Sequence, residues 1–450
     1  MNFFGLDIPI KNSPALDSGF IPMSLFAKEF LRQANKPIAI CVERNDGLVA
    51  VYDTFVTGTN PAADRYYVER TVKNLLWIKG GFRVILCGDD ALAGYIKEVY
   101  GKNGARAFDS AFMSKVYERP FEVISPVQKP RENEQSIRIG GNLAGCRIGF
   151  DAGGSDRKVS AVIDGEAVYS EEVVWSPKTQ TDPAYHYEGI LSAFRTAAAK
   201  MPRVDAIGVS SAGIYIDNRT AVASLFRKVP QDLFDAQVKD IYIRAAKEIG
   251  DVPLRVVNDG DVTALAGAME LGGSNVLGIA MGTSEAGGFV DANGNITGWL
   301  NELAFAPVDA NPAAEADEWS GDIGCGVKYF SQDGVIKLAA VAGIDLDPAL
   351  APGEKLKIVQ ELLEEGDARA ARIFQSIGCY LGHALPYYWD FYGFRYVLLL
   401  GRVMSGRGGN LIVETARRVL AEEYPACDFV VHVPDEKSRR VGQSVAAASL

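Results

Sequence analysis

The sequence predicts an α/β protein built from two duplicated lobes around a cleft, preceded by a small α/β domain. Three observations predict it. Two strand–glycine-turn–strand hairpins, "GFDAGGSD" (149–156) and "AMGTSEAGG" (280–288), each open a run of alternating strands and helices. A polar stretch with two prolines, "SPVQKPRENEQSIRIGGN" (125–142), reads as a linker. Ahead of it, 37–124 alternates strand and helix patterns on a smaller scale. The expected domains are therefore an accessory unit at 1–124, a linker at 125–142 and a two-lobed core at 143–450.

Taken in order, "KPIAICVERNDGLVAVYDTFV" (37–57) reads as two strands around an Asn-Asp-Gly turn. A helix over 65–79, a strand over 82–88, the helix "DDALAGYIKEVYG" and one or two further strands complete the first unit. In the core, 146–175 reads as three strands and 185–200 as a helix. The strands 204–213 and 254–259 follow, the second running into the helix "DVTALAGAMELG". A hairpin over 275–298 opens the second lobe. The text after it is mostly helical up to the strand "RYVLLLG" (395–401), and helix, strand and helix close the chain.

Bulk composition excludes several classes. A chain of 450 residues with 48% hydrophobic and 23% charged residues suits a globular protein with sizeable cores. Its net charge of −11 argues against nucleic acid or an anionic membrane as partner. The amino terminus lacks a basic segment followed by an apolar run, and the six scattered cysteines form no CxxC pair. These features suit a reducing cytoplasm. The three histidines are not spaced as metal ligands, so no zinc is expected.

Four segments can carry chemistry. A Gly-Gly turn lets successive backbone N–H groups face one point, an anion nest. "DAGGS" supplies such a nest from Gly153, Gly154 and Ser155, beside Asp151, whose carboxylate can hold magnesium through water. "MGTSEAGG" supplies a second turn, with close backbone approach at Gly282 and a hydroxyl at Thr283. In "VVNDGD", Asp259 stands where a strand ends and a helix begins. There a carboxylate serves equally as general base for an alcohol or as helix N-cap, and Asp261 reads as first-turn helix charge. "LLLGRVMSGRGGN" (398–410) suits the adenosine side of a nucleotide or an ordinary strand-to-helix loop.

In that order, these segments over 143–450 resemble the ROK family of bacterial sugar kinases and repressors, within the hexokinase–actin–Hsp70 superfamily. "DAGGS" and "IAMGTSEAGG" resemble its phosphate motifs, "IGVSSAG" its glycine turn near the sugar, and "VVNDGDVTALAGAMELG" its catalytic segment. "TGWLNELAFAP" is similar to its sugar-contacting segment, "LLLGRVMSG" to its adenosine motif and "VGQSVAAASL" to its closing helix. The resemblance implies actin-like (RNase H-like) lobes and phosphoryl transfer from Mg-ATP to a hydroxyl of a hexose or related sugar. It implies Asp259 as catalytic base, and Asn258, Glu302 and Gly213 at the sugar. Asp151, Gly153, Gly154, Ser155, Gly282 and Thr283 would handle ATP phosphates and magnesium, with Gly401 near the adenosine. The alternatives are a kinase with a non-hexose acceptor and a catalytically weak sensor of sugar or nucleotide.

The chain also departs from that family. "NELAF" puts Phe305 where members carry a histidine, "EWSGDIGCGVKYFSQ" keeps only Cys325 of the zinc cluster, and Val327 replaces a glutamate. No zinc is expected on this ground either, and the pocket should be partly apolar. Glu315, Asp317, Glu318 and Trp319 read either as replacements for the lost sugar contacts or, the favoured reading, as solvated loop residues. Because 37–124 mixes strands with helices and its main helix is not strongly basic, the winged-helix DNA-binding domain of family repressors is not expected. The first unit is expected to be non-catalytic, packing on the core or building a homo-oligomer.

Overall fold

The computed structural model describes residues 1–136, 141–433 and 444–450. Residues 137–140 of the expected linker and 441–443 of the expected closing segment lie outside them. The first lobe carries a five-stranded sheet. Strand Cys146–Ala152 lies at its centre, antiparallel to Asp156–Ile163, which pairs in turn with Glu166–Val174. On its other side Ala206–Ser211 and then Leu254–Asn258 run parallel to it. Helix Pro183–Ala198 covers this sheet. It starts with Asp182 accepting from the Ala184 N–H at 2.9 Å and proline at its first position, where no backbone donor is lost.

The second lobe is built around a four-stranded sheet. Strand Val276–Met281 pairs antiparallel with Glu285–Val290 and parallel with Tyr396–Leu400, and Val430–His432 forms the edge. The helices Ala368–Tyr392 and Gly406–Glu423 pack on it and on each other. Residues 444–448 are helical and return to the first lobe, where the Ser444 and Ser160 hydroxyls meet at 2.7 Å. Among the described residues no helix is long and apolar enough to cross a membrane.

The amino-terminal segment has a sheet of its own, with Lys36–Glu43 between Val49–Val56 and Arg83–Cys87 and with Glu122–Ile124 at the far edge. Helix Pro61–Ile78 begins at an Asn60 cap. One expectation is corrected here: helix Ala107–Tyr117 follows helix Asp90–Val99, and a single short strand follows it. The text "AFDSAFMSKVY" has apolar residues around most of its circumference and therefore lacks the one-faced stripe that marks a helix in sequence. The face that is buried carries polar Asp109 and Ser110 beside Phe112, Met113, Val116 and Tyr117, while Ala111 on the opposite face is exposed.

The core of this segment is continuous with that of the second lobe. Phe26, Phe30, Tyr67 and Trp77 belong to one buried cluster with Phe305, Tyr329, Tyr380 and Tyr388. Main-chain bonds run across the junction. Ile78 and Trp77 carbonyls, at the end of helix Pro61–Ile78, accept from the Asn301 and Glu302 N–H groups at 3.0 and 2.9 Å. Further along the chain, the Ile21 N–H donates to Asp309 at 2.9 Å.

Candidate active site between the lobes

Asp259 is the first residue of helix Asp259–Leu271, directly after strand Leu254–Asn258. The cap of that helix is Asn258, whose Oδ1 accepts from the Gly260 N–H at 2.7 Å while its Nδ2 donates to the Gly213 carbonyl at 2.7 Å. Asp259 is therefore not needed as a cap. Its carboxylate takes one long bond from the Gly260 N–H, 3.1 Å, and lines a cavity of about 770 Å³ with Asn258, Gly213 and Glu302. Burial lifts it above the ordinary carboxyl range, and the Lys178 charge opposes that rise.

Asp151 ends the central strand of the first lobe and accepts a hydrogen bond from the Ser210 hydroxyl at 2.8 Å. Burial lifts it to about 6, and the charge of Asp259 adds to the rise. The glycine turn that follows is anchored from one side. Trp175 Nε1 donates to the Gly153 carbonyl at 2.8 Å, and the Trp175 N–H donates to the Ser155 carbonyl at 3.1 Å. Gly282 donates to the Ser284 carbonyl at 2.9 Å and accepts from the Gln332 N–H at 2.8 Å, leaving Thr283 exposed at the tip of the second turn. Gly401 has φ +98°, and a side chain there would strike the backbone of Met281, so the end of strand Tyr396–Leu400 passes against the second turn only as glycine. Asp151 and Asp259 lie close enough for their charges to interact, and Ser284 of the second turn borders the cavity that holds Asp259. Asp151, the glycines of the first turn, Gly282, Thr283 and Gly401 do not line the cavity that holds Asp259 and Glu302.

Three participants escaped the sequence reading. Lys178 sits in the short turn Pro177–Thr179, where the buried His186 ring contacts the Pro177 carbonyl at 3.0 Å. A Cβ on Gly154 would meet Lys178 Nζ at 2.6 Å, so this side chain lies over the first glycine turn. Glu285 is 2% exposed and lines the cavity with both carboxyl oxygens free of hydrogen-bond partners; burial pushes it well above the usual range. Asp261, expected as simple helix charge, is buried and accepts from Phe289 N–H and Asn301 Nδ2 at 3.1 and 2.9 Å. It ties helix Asp259–Leu271 to the Glu302 segment. The only signal for Lys178 was a lysine flanked by turn residues downstream of the hairpin. Glu285 carried none beyond its nearness to the second turn.

The loop after Glu302 also differs from expectation. Asp317 is buried, closes its own turn through the Ser320 N–H and hydroxyl at 2.7 Å, and lines the cavity. Glu318 is exposed and pairs with Lys328 at 2.7 Å. Phe305 and Val327 line the cavity as apolar wall. Cys325 is fully buried beneath it, and among the described residues no group of three or more His, Cys, Asp or Glu could hold a metal ion.

These carboxyls set a pH dependence. Burial is the main cause that raises Asp151 and Asp309 to about 6 and Asp261 and Glu302 to about 7. A folded chain with raised carboxyls keeps protons that the unfolded chain has released. Stability therefore falls as pH climbs from the ordinary carboxyl range, about 4, through about 7. Thermal melts of the free protein should show a higher Tm at pH 6 than at pH 8. A Tm that rises over that interval would show that these groups are not held protonated.

No family model matches the sequence, and no curated protein does. Solved structures match the fold. A ROK hexokinase from Thermus thermophilus aligns with a TM-score of 0.53 at 20% identity, over 68% of this chain and 97% of that one. A ROK family glucokinase from Streptomyces griseus, in complex with glucose and AMPPNP, aligns at 0.50 and 20% identity over 68% and 98%. A ROK family transcriptional regulator, a homolog of the E. coli MLC protein, aligns at 0.53 and 16% identity over 68% and 79%. The fold of this chain is that of the ROK family, kinases and regulator alike, two actin-like lobes around a cleft.

Proposed function

We propose that the protein is an ATP-dependent kinase of the ROK type that phosphorylates a hydroxyl of a sugar or related polyol. The observation that carries this reading is the setting of Asp259. It is a partly buried carboxylate, freed of any capping duty by Asn258, that lines a cavity of acceptor size within reach of the charges of Asp151 and Lys178. Asp259 takes the proton of the acceptor hydroxyl as its oxygen bonds to the γ-phosphorus. The bond from that phosphorus to the β–γ bridging oxygen breaks, and ADP leaves with the electron pair. Glu302 and Asn258 orient the acceptor from the cavity floor. Gly153, Gly154 and Ser155 in one turn, and Gly282 and Thr283 in the other, face the phosphates, with Gly401 on the adenosine side. Asp151 suits a magnesium ion: its burial and the neighbouring Asp259 charge both favour a cation beside it. The ion, when bound, offsets phosphate charge. Residues 1–124 are read as an accessory unit and 143–450 as the catalytic core.

The decisive assay is acceptor-dependent ADP release from Mg-ATP over a panel of sugars and polyols. Turnover with one acceptor supports the kinase. Silence across the panel, with ATP and a sugar each raising Tm, supports the second reading, a sugar-responsive binding protein. That reading is favoured by the fold shared with the regulator at a TM-score equal to that of the hexokinase.

Lys178 is read as the cation that meets the transferred phosphoryl group. Lys178→Ala should lower kcat by roughly 10²-fold, the scale of one oriented electrostatic donor. Because its charge holds Asp259 down, its loss should also move the acid limb of kcat/KM to higher pH, and Lys178→Arg should restore both. An acid limb that stays in place in Lys178→Ala would remove Lys178 from this role.

A further inference from the structure

The acceptor cavity has an apolar wall that a bare sugar does not need, and part of that wall comes from the amino-terminal segment. Phe112, on helix Ala107–Tyr117, lines the cavity beside Phe305 and Trp319. The three rings form one group, with centroids 6.5 Å apart for Phe112–Phe305, 5.9 Å for Phe112–Trp319 and 5.4 Å for Phe305–Trp319. Phe305 also stacks on Trp77 of helix Pro61–Ile78 at 4.3 Å and 29°. Across the cleft the first lobe contributes Phe226 and Phe234, themselves 6.4 Å apart. Trp319 is 60% exposed although it borders the cavity, so a face of its indole is free to stack.

The polar groups gather elsewhere in the same cavity. Asp259, Asn258 and Glu302 lie there with Glu285, whose two buried oxygens have no partner. The volume of about 770 Å³ lies well into the range of roughly 300–1,000 Å³ that drug-sized ligands fill. The residues of the first glycine turn lie outside this cavity, and of the second turn Ser284 borders it.

Resting on the reading of this cavity as the acceptor site, the geometry points to an acceptor that joins a hydroxylated ring to an apolar, aromatic-sized substituent. The hydroxylated end meets Asp259 and Glu302, and the substituent lies between Phe112, Phe305 and Trp319 on one side and Phe226 and Phe234 on the other. The amino-terminal segment is thereby a specificity element, because it supplies Phe112 and backs Phe305 with Trp77.

The test is calorimetric binding to the full chain in the presence of Mg-AMPPNP. The probes are glucose and mannose, each paired with its phenyl glycosides of both anomers. At least one phenyl glycoside should bind ten-fold or more tightly than its parent sugar. Phe112→Leu and Trp319→Leu should each cut that ratio at least three-fold, with circular dichroism and Tm reporting that the variants fold. Equal affinity of every pair, or no binding by any probe, overturns the inference, as does a ratio untouched in both variants. ADP release with the same probes is read separately. Tight aryl-glycoside binding without turnover would count against the kinase while leaving the acceptor chemistry standing. Turnover of a parent sugar with no preference for its glycoside would do the reverse.

Discussion

Replacing Asp259 with asparagine is expected to lower kcat by about 10²- to 10⁴-fold, the contribution of a positioned general base. The fold should survive it. Asparagine keeps an oxygen at the position that accepts the Gly260 N–H, the helix remains capped by Asn258, and a charge that desolvation disfavours is removed. Mg-ATP should therefore still raise Tm in the variant, since Asp151 and the two glycine turns are untouched. Steady-state ADP release and ligand-dependent melts, run on the same preparation, separate the two effects. A variant that retains turnover within a few-fold of the parent would remove Asp259 as base, whatever its ATP binding. A variant that loses both turnover and ATP stabilisation would assign the aspartate a structural role instead.

Much of the two-lobe plan was legible because its signals are local. The hairpins Cys146–Ile163 and Val276–Val290 announce themselves by apolar strands on both sides of glycine turns, and the position of Asp259 follows from a strand running straight into an alanine-rich helix. Whether that aspartate was base or cap could not be read in one dimension. The distinction rests on the 2.7 Å bond from Gly260 to its neighbour Asn258. Residues whose roles depend on distant packing were illegible for the same reason. Lys178 reaches Gly154 only because the third strand of the first sheet carries the chain back to the turn, and Glu285 is left unpartnered only because Gly326 closes over it. The helix Ala107–Tyr117 was missed because its buried face includes Asp109 and Ser110 while Phe108 and Ala111 lie off it, which blurs the periodicity that would reveal it.

The largest expected effect on stability lies at Asp322, and it bears on what the amino-terminal segment contributes. Helix Pro61–Ile78 presents Glu69, Arg70 and Lys73, and Arg106 and Asp109 stand at the start of helix Ala107–Tyr117. Lys73 pairs with Asp109 and Asp322 at 3.0 Å each, Arg70 lies 3.5 Å from Asp322, and Arg106 bonds both Glu69 and Asp322. Asp322 is the member of this buried network that comes from the second lobe, on the loop that carries Trp319 and Cys325. Burial by itself would raise its carboxyl, but the Lys73 and Arg70 charges hold it below the ordinary range. Asp322→Ala leaves Lys73, which is fully buried, and Arg70 short of a counter-charge. Such a loss costs about 3–5 kcal/mol. Urea unfolding should show that drop, and the loop should loosen with it, so that quenching of Trp319 fluorescence by acrylamide rises in the still-folded variant. A loss below about 1 kcal/mol would mean that water reaches the network and the pairs act as surface ion pairs do. On the expected outcome, the loop that borders the acceptor cavity is held by charges from the amino-terminal segment. Its backbone also bonds Glu302 from the end of helix Pro61–Ile78, and its Phe112 forms part of the same wall. A single carboxylate then connects the fold of the first residues to the shape of the pocket.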